Sequence, residues 1–85
     1  MKITVSINLG GYSMNIDEDA YAELKMYLKN LDLHFAGEES SSEILSDIET
    51  RMAELFRTKI TSYKQVINIE DVRQAISVLG TPEDI

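Results

Sequence analysis

Near its start the chain alternates between apolar and polar side chains. The apolar positions of this segment are Ile3, Val5, Ile7 and Leu9. A period of two places successive side chains on opposite faces, so residues 3–9 predict a half-buried β-strand. Gly10-Gly11 follows, and a glycine pair between two alternating segments is typical of a two-residue hairpin turn. The alternation resumes at Tyr12, Met14 and Ile16, which predicts the return strand of a β-hairpin.

The spacing of apolar residues then becomes helical. Asp17 is a suitable N-cap, with acidic residues in the turn that follows it. Gly37 ends the pattern, which gives a helix of roughly five turns. The predicted buried stripe of this first helix consists of Tyr21, Leu24, Leu28, Leu31 and Phe35, flanked by Met26 and Tyr27.

A second helix is predicted from Ser40 onward. Ser40 and Glu43 stand three residues apart, the spacing of a capping box. The apolar face of this helix consists of Ile44, Leu45, Ile48, Met52, Leu55 and Phe56. The pattern breaks at residues 61–64, and residues 66–69 fit either a third short strand or an extended lead-in to the next helix.

The third helix has both a start and a stop signal. Asn68 can cap it, and its predicted buried residues are Val72, Ala75, Ile76 and Leu79. Gly80 occupies the position at the end of the helix where a residue with left-handed backbone conformation is common, and Pro82 prevents the helix from continuing. We therefore expect residues 1–85 to form one small α+β domain, an N-terminal β-hairpin packed on a three-helix unit. A chain that closes just beyond such a stop is expected to be the excised N-terminal module of a longer membrane protein.

Composition narrows the classes of function. The net charge is −7, from 15 acidic and 8 basic residues, and the basic residues are scattered. Binding to a phosphate backbone depends on clustered Lys and Arg, so nucleic acid is not expected as a partner. The chain has no cysteine, which excludes disulfides and thiolate metal sites. Its sequence shows no signal peptide and no apolar run of about 20 residues, the length of a membrane span.

The sequence offers weak candidates for metal binding or catalysis. His34 is the single histidine, so it has no histidine partner for a metal site or proton relay. The segment from Asp32 to Glu43 has the outline of a calcium loop, but His34 and Ala36 occupy positions that need oxygen ligands. The serines have no histidine base nearby in sequence. We therefore predict no catalytic residue, no metal, no cofactor and no enzymatic activity.

Acidic residues crowd the second helix and its approach. They are Glu38, Glu39, Glu43, Asp47 and Glu49. Paired carboxylates act in acid–base catalysis only where a pocket separates their pKa values, so a solvated acidic face is the favoured reading. Such a face can dock a basic partner. Glu43, Asp47 and Glu49 are accordingly the predicted partner-docking surface.

Several segments taken in order resemble one known pattern. They are residues 5–11 (VSINLGG), 16–21 (IDEDAY), 34–35 (HF), 46–56 (SDIETRMAELF), 69–72 (IEDV) and 80–84 (GTPED). The set resembles the N-terminal region of bacterial proteins that carry a phage-shock-protein-C (PspC) domain, over nearly the whole chain. The resemblance implies a cytoplasmic module at the inner face of a bacterial membrane, in an envelope-stress or related regulatory protein. The PspC segment itself, which follows downstream in that family, is not part of this sequence, and the resemblance transfers no catalytic residue.

Two hypotheses of function follow. The first is a non-enzymatic, protein-binding regulatory module that docks an unidentified protein through the acidic second helix or the hairpin edge. An open hairpin edge would also make a homodimer reasonable. The alternative is a small soluble regulator of transcription, with the second and third helices as a helix-turn-helix. Its recognition helix would offer only Arg73, beside Glu70 and Asp71, for contacts to DNA.

Overall fold

Residues 3–84, which the computed structural model describes, form a three-stranded sheet covered by three α-helices. The elements are β1 (Thr4–Leu9), β2 (Tyr12–Asp17), α1 (Glu18–His34), α2 (Ser41–Arg57), β3 (Val66–Ile67), α3 (Ile69–Leu79) and a short 3-10 helix (Pro82–Asp84). The predicted α+β class, with a hairpin packed on three helices, is confirmed. Ile85, the last residue of the predicted C-terminal stop, lies outside the described residues.

The hairpin has the predicted turn and the predicted faces. β1 and β2 are antiparallel, and Leu9 lies opposite Tyr12 across the Gly10-Gly11 turn. Both glycines have positive φ, 58° and 87°, as a type I′ hairpin turn requires. The register also places Ile7 opposite Met14, so the apolar residues of the two strands share one face and pack on the helices.

Val66–Ile67 forms a third strand, which decides between the two readings of that segment. It pairs in parallel with β2, through Asn15 opposite Val66 and Ile16 opposite Ile67. The strand order is β1-β2-β3, so β2 is central and β1 is an edge strand. A two-residue strand carries too little pattern to be distinguished from an extended loop by sequence alone.

One hydrophobic core joins the sheet and the helices. Its buried apolar residues are Leu9, Met14, Ile16, Ala20, Leu24, Tyr27, Leu31, Phe35, Ile48, Met52, Ala53, Phe56, Ile67, Val72 and Ala75. The predicted stripe of α1 is therefore partly wrong, because Tyr27 is buried while Tyr21 and Leu28 are only half-buried. The reason is tertiary: α3 packs on α1, and the Tyr27 hydroxyl finds a hydrogen-bond acceptor there.

The capping box lies at α3 and not at α2. Ser40 precedes α2 as predicted, but its φ and ψ of −93° and 11° are not extended, and its side chain makes no cap hydrogen bond. Asn68 is extended, with φ −106° and ψ 177°, and its Oδ1 accepts a hydrogen bond of 3.0 Å from the Asp71 N–H. Asp71 Oδ2 in turn accepts one of 3.0 Å from the Asn68 N–H. A capping side chain typically reaches the helix N–H groups from an extended backbone, which Asn68 has and Ser40 lacks.

The C-terminal stop uses glycine in another conformation than predicted. Gly80 has a positive φ of 93°, but its ψ of 175° is extended and not left-handed helical. That combination is essentially restricted to glycine. Pro82 then starts the short 3-10 helix, and Asp84 Oδ2 accepts hydrogen bonds from the N–H (3.0 Å) and the hydroxyl (2.9 Å) of Thr81. These bonds lower the pKa of Asp84 below its ordinary value.

The different caps of α2 and α3 predict different responses to truncation. Asn68→Ala removes the acceptor of the Asp71 N–H and is expected to lower the free energy of unfolding by about 1 kcal/mol. Ser40→Ala, the matched change at α2, removes no cap bond and is expected to change it by less than about 0.5 kcal/mol. Urea denaturation of both variants measures this. Equal losses of unfolding free energy in the two variants would contradict the assignment of the capping box to α3.

The two glycines of the hairpin turn are predicted to differ in how much an alanine substitution destabilises the protein. A Cβ on Gly10 would lie 2.9 Å from the Thr50 Cα and 3.0 Å from the Glu49 carbonyl oxygen, both backbone atoms of α2, whereas a Cβ on Gly11 meets nothing within 4 Å. Gly11→Ala is expected to cost about 1–2 kcal/mol for its positive φ alone. Gly10→Ala is expected to cost at least twice as much, because α2 must also move. Similar midpoints in urea denaturation would show that the close approach is unimportant.

Candidate interaction surfaces

The structure brings two of the three predicted acidic docking residues together. Glu43 and Asp47 are exposed and one turn apart on α2, so they share a face. Glu49 is half-buried and lies about 200° around the helix from Asp47, on the flank that faces the hairpin turn. Glu54 is exposed and lies two turns beyond Asp47 on the same face. We call Glu43, Asp47 and Glu54 the acidic row; helical period alone identifies Glu54, which the sequence analysis did not include.

The outer edge of β1 carries backbone groups that face away from the sheet. The Glu18 N–H donates to the Ile3 carbonyl at 2.8 Å, which continues the β1–β2 ladder past its last paired residues. Hydrogen-bonding direction alternates along an antiparallel strand, so Val5 and Ile7 also turn their N–H and C=O groups toward β2. Leu9 does the same, so the N–H and C=O groups of the three residues that alternate with Ile3, Val5, Ile7 and Leu9 point outward. These residues are Thr4, Ser6 and Asn8, and all three are exposed.

This edge lacks the features that usually protect an edge strand. β1 contains no charged residue and no proline, and its six residues pair with β2 in continuous register. Apolar side chains reach the same edge, because Val5 and Ile7 are only half-buried and Ile3 is 65% exposed. We call residues 3–9 the open edge. It combines outward-pointing backbone N–H and C=O groups with exposed apolar surface.

Polar contacts hold α3 against α1. The Tyr27 hydroxyl donates a 2.7 Å hydrogen bond to the Gly80 carbonyl at the end of α3. Arg73 binds Glu23 with two hydrogen bonds, from Nε to Oε2 at 3.2 Å and from Nη2 to Oε1 at 2.9 Å. A helix-turn-helix role would require Arg73, the one basic residue of α3, to exchange this exposed ion pair for DNA.

A groove lies between α1 and α3. Tyr27, Asn30 and Ile76 line it, and Met26 beside them is 61% exposed. Leu33, seven residues after Met26 on the same face, is 65% exposed. Their seven-residue spacing is a sequence signal for this exposed apolar pair, which lies beside the predicted buried stripe of α1.

The candidates for metal chemistry remain scattered in the described part of the chain. His34 is exposed at the end of α1, where its ring stands edge-on to Phe35 with 4.9 Å between ring centroids. Within residues 3–84, no three His, Cys, Asp or Glu side chains gather closely enough to hold a metal ion. None of the helices described there has the length and apolar character needed to cross a membrane.

Comparison of the chain with protein-family models, with curated proteins and with solved structures gives no match. The resemblance to the N-terminal region of PspC-domain proteins therefore rests on the sequence segments quoted for it.

The Tyr27 contact predicts a measurable loss of stability. Tyr27→Phe removes the hydrogen bond to the Gly80 carbonyl and is expected to lower the free energy of unfolding by about 1 kcal/mol at pH 7. Tyr63 is 99% exposed, so Tyr63→Phe is the matched control and should have no effect.

The hydrogen bond between Tyr27 and the Gly80 carbonyl also predicts that stability depends on pH. Burial raises the pKa of Tyr27 above its ordinary value of 10.0. Above pH 10 the unfolded chain loses this proton while the folded chain retains it, so the stabilisation is complete below pH 10 and is lost as pH rises through the folded pKa. The difference in stability between wild type and Tyr27→Phe should therefore narrow above pH 10, and a constant difference would contradict this.

Proposed function

We propose that this chain is a non-enzymatic protein-interaction module of a regulatory protein at the cytoplasmic face of a bacterial membrane. The observation that carries the proposal is the open edge. Thr4, Ser6 and Asn8 each direct one N–H and one C=O group outward, which is the arrangement that accepts an added strand. The interaction is therefore addition of an extended segment of a partner protein to the sheet beside β1.

The chemistry of the open edge supports this role. Natural proteins usually cover an exposed edge strand, or place lysine, proline or a bulge on it, because an unprotected edge associates with other chains. β1 has neither a charge nor a proline. Its main-chain groups would provide affinity, and its half-buried Val5 and Ile7 would provide apolar contacts to alternate side chains of the partner.

The acidic row gives a second surface of different character. Glu43, Asp47 and Glu54 are exposed on one face of α2, with Arg51 between the last two, so this face is net acidic and suits a partner with basic residues. Charges at the rim of an interface mainly raise the rate of association and oppose wrong partners. Glu49 contributes less to this surface than the sequence analysis assumed, because it lies on the flank beside the hairpin turn.

The membrane context comes from the family resemblance. The segments that resemble the N-terminal regions of PspC-domain proteins support a regulatory role in the response to envelope stress. In such a protein the module would be tethered on the cytoplasmic side of the membrane through a segment downstream of it.

Crosslinking in bacterial cells tests both the docking surface and the location. The full-length protein carries a photo-crosslinking residue at position 8 of the open edge and, separately, at position 77, an exposed serine of α3. We expect crosslinked adducts in the membrane fraction from position 8 and not from position 77. Ser6→Lys should reduce the yield about tenfold, since lysine opposes strand addition, whereas Ser77→Lys should not.

The acidic row is tested in the same experiment. The double reversal Glu43→Lys/Asp47→Lys should lower the yield from position 8, and Glu49→Lys should lower it less. An unchanged yield with Ser6→Lys would overturn docking through the open edge. Recovery of the protein only in the soluble fraction would overturn the membrane context.

A further inference from the structure

The sequence of β1 is complementary to itself in antiparallel pairing. A two-fold axis through Ser6 sets Ser6 of one copy opposite Ser6 of the other, and Thr4 opposite Asn8. These are the three residues whose backbone groups point outward. On the helix-covered face, the same register sets Val5 opposite Ile7 of the second copy, and the exposed Ile3 opposite Leu9. Polar residues thus meet polar ones, and apolar residues meet apolar ones.

The charge distribution also favours a second copy at this edge. The chain has a net charge of −7, so most of its surface repels another copy. Residues 3–16 contain no charged side chain, and all 15 acidic residues lie at position 17 or later. The open edge is therefore a place where two copies can meet without opposing charges of the same sign.

We propose that two copies of this chain pair through β1, antiparallel about a two-fold axis at Ser6, and so join their three-stranded sheets into one continuous sheet. The inference rests on the proposed function in using the same open edge, and it differs in the occupant, because a second copy of the chain would compete there with a strand of another protein. Three residue pairs, Ser6 with Ser6 and Thr4 with Asn8 twice, each exchange two main-chain hydrogen bonds. The pairing thereby satisfies the outward N–H and C=O groups of both copies.

The symmetric register is the favoured one. A shift by two residues would leave at least one outward-pointing residue without a partner. A shift by one residue would place outward-pointing backbone groups opposite Val5 or Ile7, which direct theirs toward β2. In the register centred on Ser6, every outward-pointing residue of β1 lies opposite another outward-pointing residue.

Charge placed at the axis tests the pairing. In a dimer of Ser6→Lys, two lysines lie directly opposite each other, and in Ser6→Glu two glutamates do. Analytical ultracentrifugation from about 1 μM to 1 mM should show a dimer for wild type and at least tenfold weaker association for either variant. A one-to-one mixture of the two variants should restore the dimer, since unlike charges then meet.

Two controls separate this effect from loss of fold or of the Ser6 hydroxyl, which donates to Asn15 Oδ1 at 2.8 Å. Ser6→Ala removes the hydroxyl without adding charge and should remain dimeric. Ser77→Lys adds the same charge on exposed α3 and should also remain dimeric. Circular dichroism of all variants verifies the fold.

A crosslink provides a second, independent measurement. The chain has no cysteine, so Ser6→Cys introduces a single thiol. Directly opposed residues of a hydrogen-bonded antiparallel pair have Cα atoms about 5.5 Å apart, within the range that a disulfide spans. Mild oxidation should link Ser6→Cys into a covalent dimer much faster than Ser77→Cys.

A wild-type chain that stays monomeric up to about 1 mM would overturn the pairing of two copies. So would a Ser6→Lys variant that dimerises as well as wild type. A monomeric wild type would leave the open edge free for a strand of a different protein, so the proposed function would still be decided by crosslinking from position 8.

Discussion

The register that Gly10-Gly11 imposes on β1 and β2 is the constraint on which the rest of the structure depends. Both glycines have positive φ, and the two-residue turn sets Leu9 opposite Tyr12. A slip of one residue would turn every apolar side chain of one strand to the other face. Gly10 also lies against the backbone of α2 with no room for a Cβ. The turn thus fixes the pairing of the strands and the place of α2 at the same time.

The same register divides the residues of β1 between the core and the open edge. Its apolar residues face the helices and direct their backbone groups to β2, while Thr4, Ser6 and Asn8 face solvent and direct theirs to the open edge. Because a strand alternates, neighbouring residues of one short segment serve different purposes. Substitutions at Thr4, Ser6 or Asn8 therefore alter the open edge and leave the apolar face of β1 unchanged.

The position of α3 depends on polar contacts as well as on burial. Asp71 is only 5% exposed, and its carboxylate accepts the Asn68 N–H and forms an ion pair with Lys64. A buried charge is tolerated where it is paired and hydrogen-bonded, so this group ties the loop before β3 to the start of α3. At the other end of the helix, Tyr27 binds the Gly80 carbonyl. These contacts hold both ends of α3 against the rest of the fold.

The sequence by itself determined what depends on neighbours a few residues apart: the alternating strands, the glycine turn, the approximate extents of the three helices and the cap at Asn68. Helical period alone would also have separated Glu49 from Asp47 and added Glu54. Only the tertiary structure decided the parallel pairing of Val66–Ile67 with β2, about 50 residues away in the chain, and the burial of Tyr27. It also decided that Ser40 makes no capping box, because its backbone is not extended. A local pattern gives the period of a buried face, whereas its centre and its hydrogen-bond partners are set by the elements that pack on it.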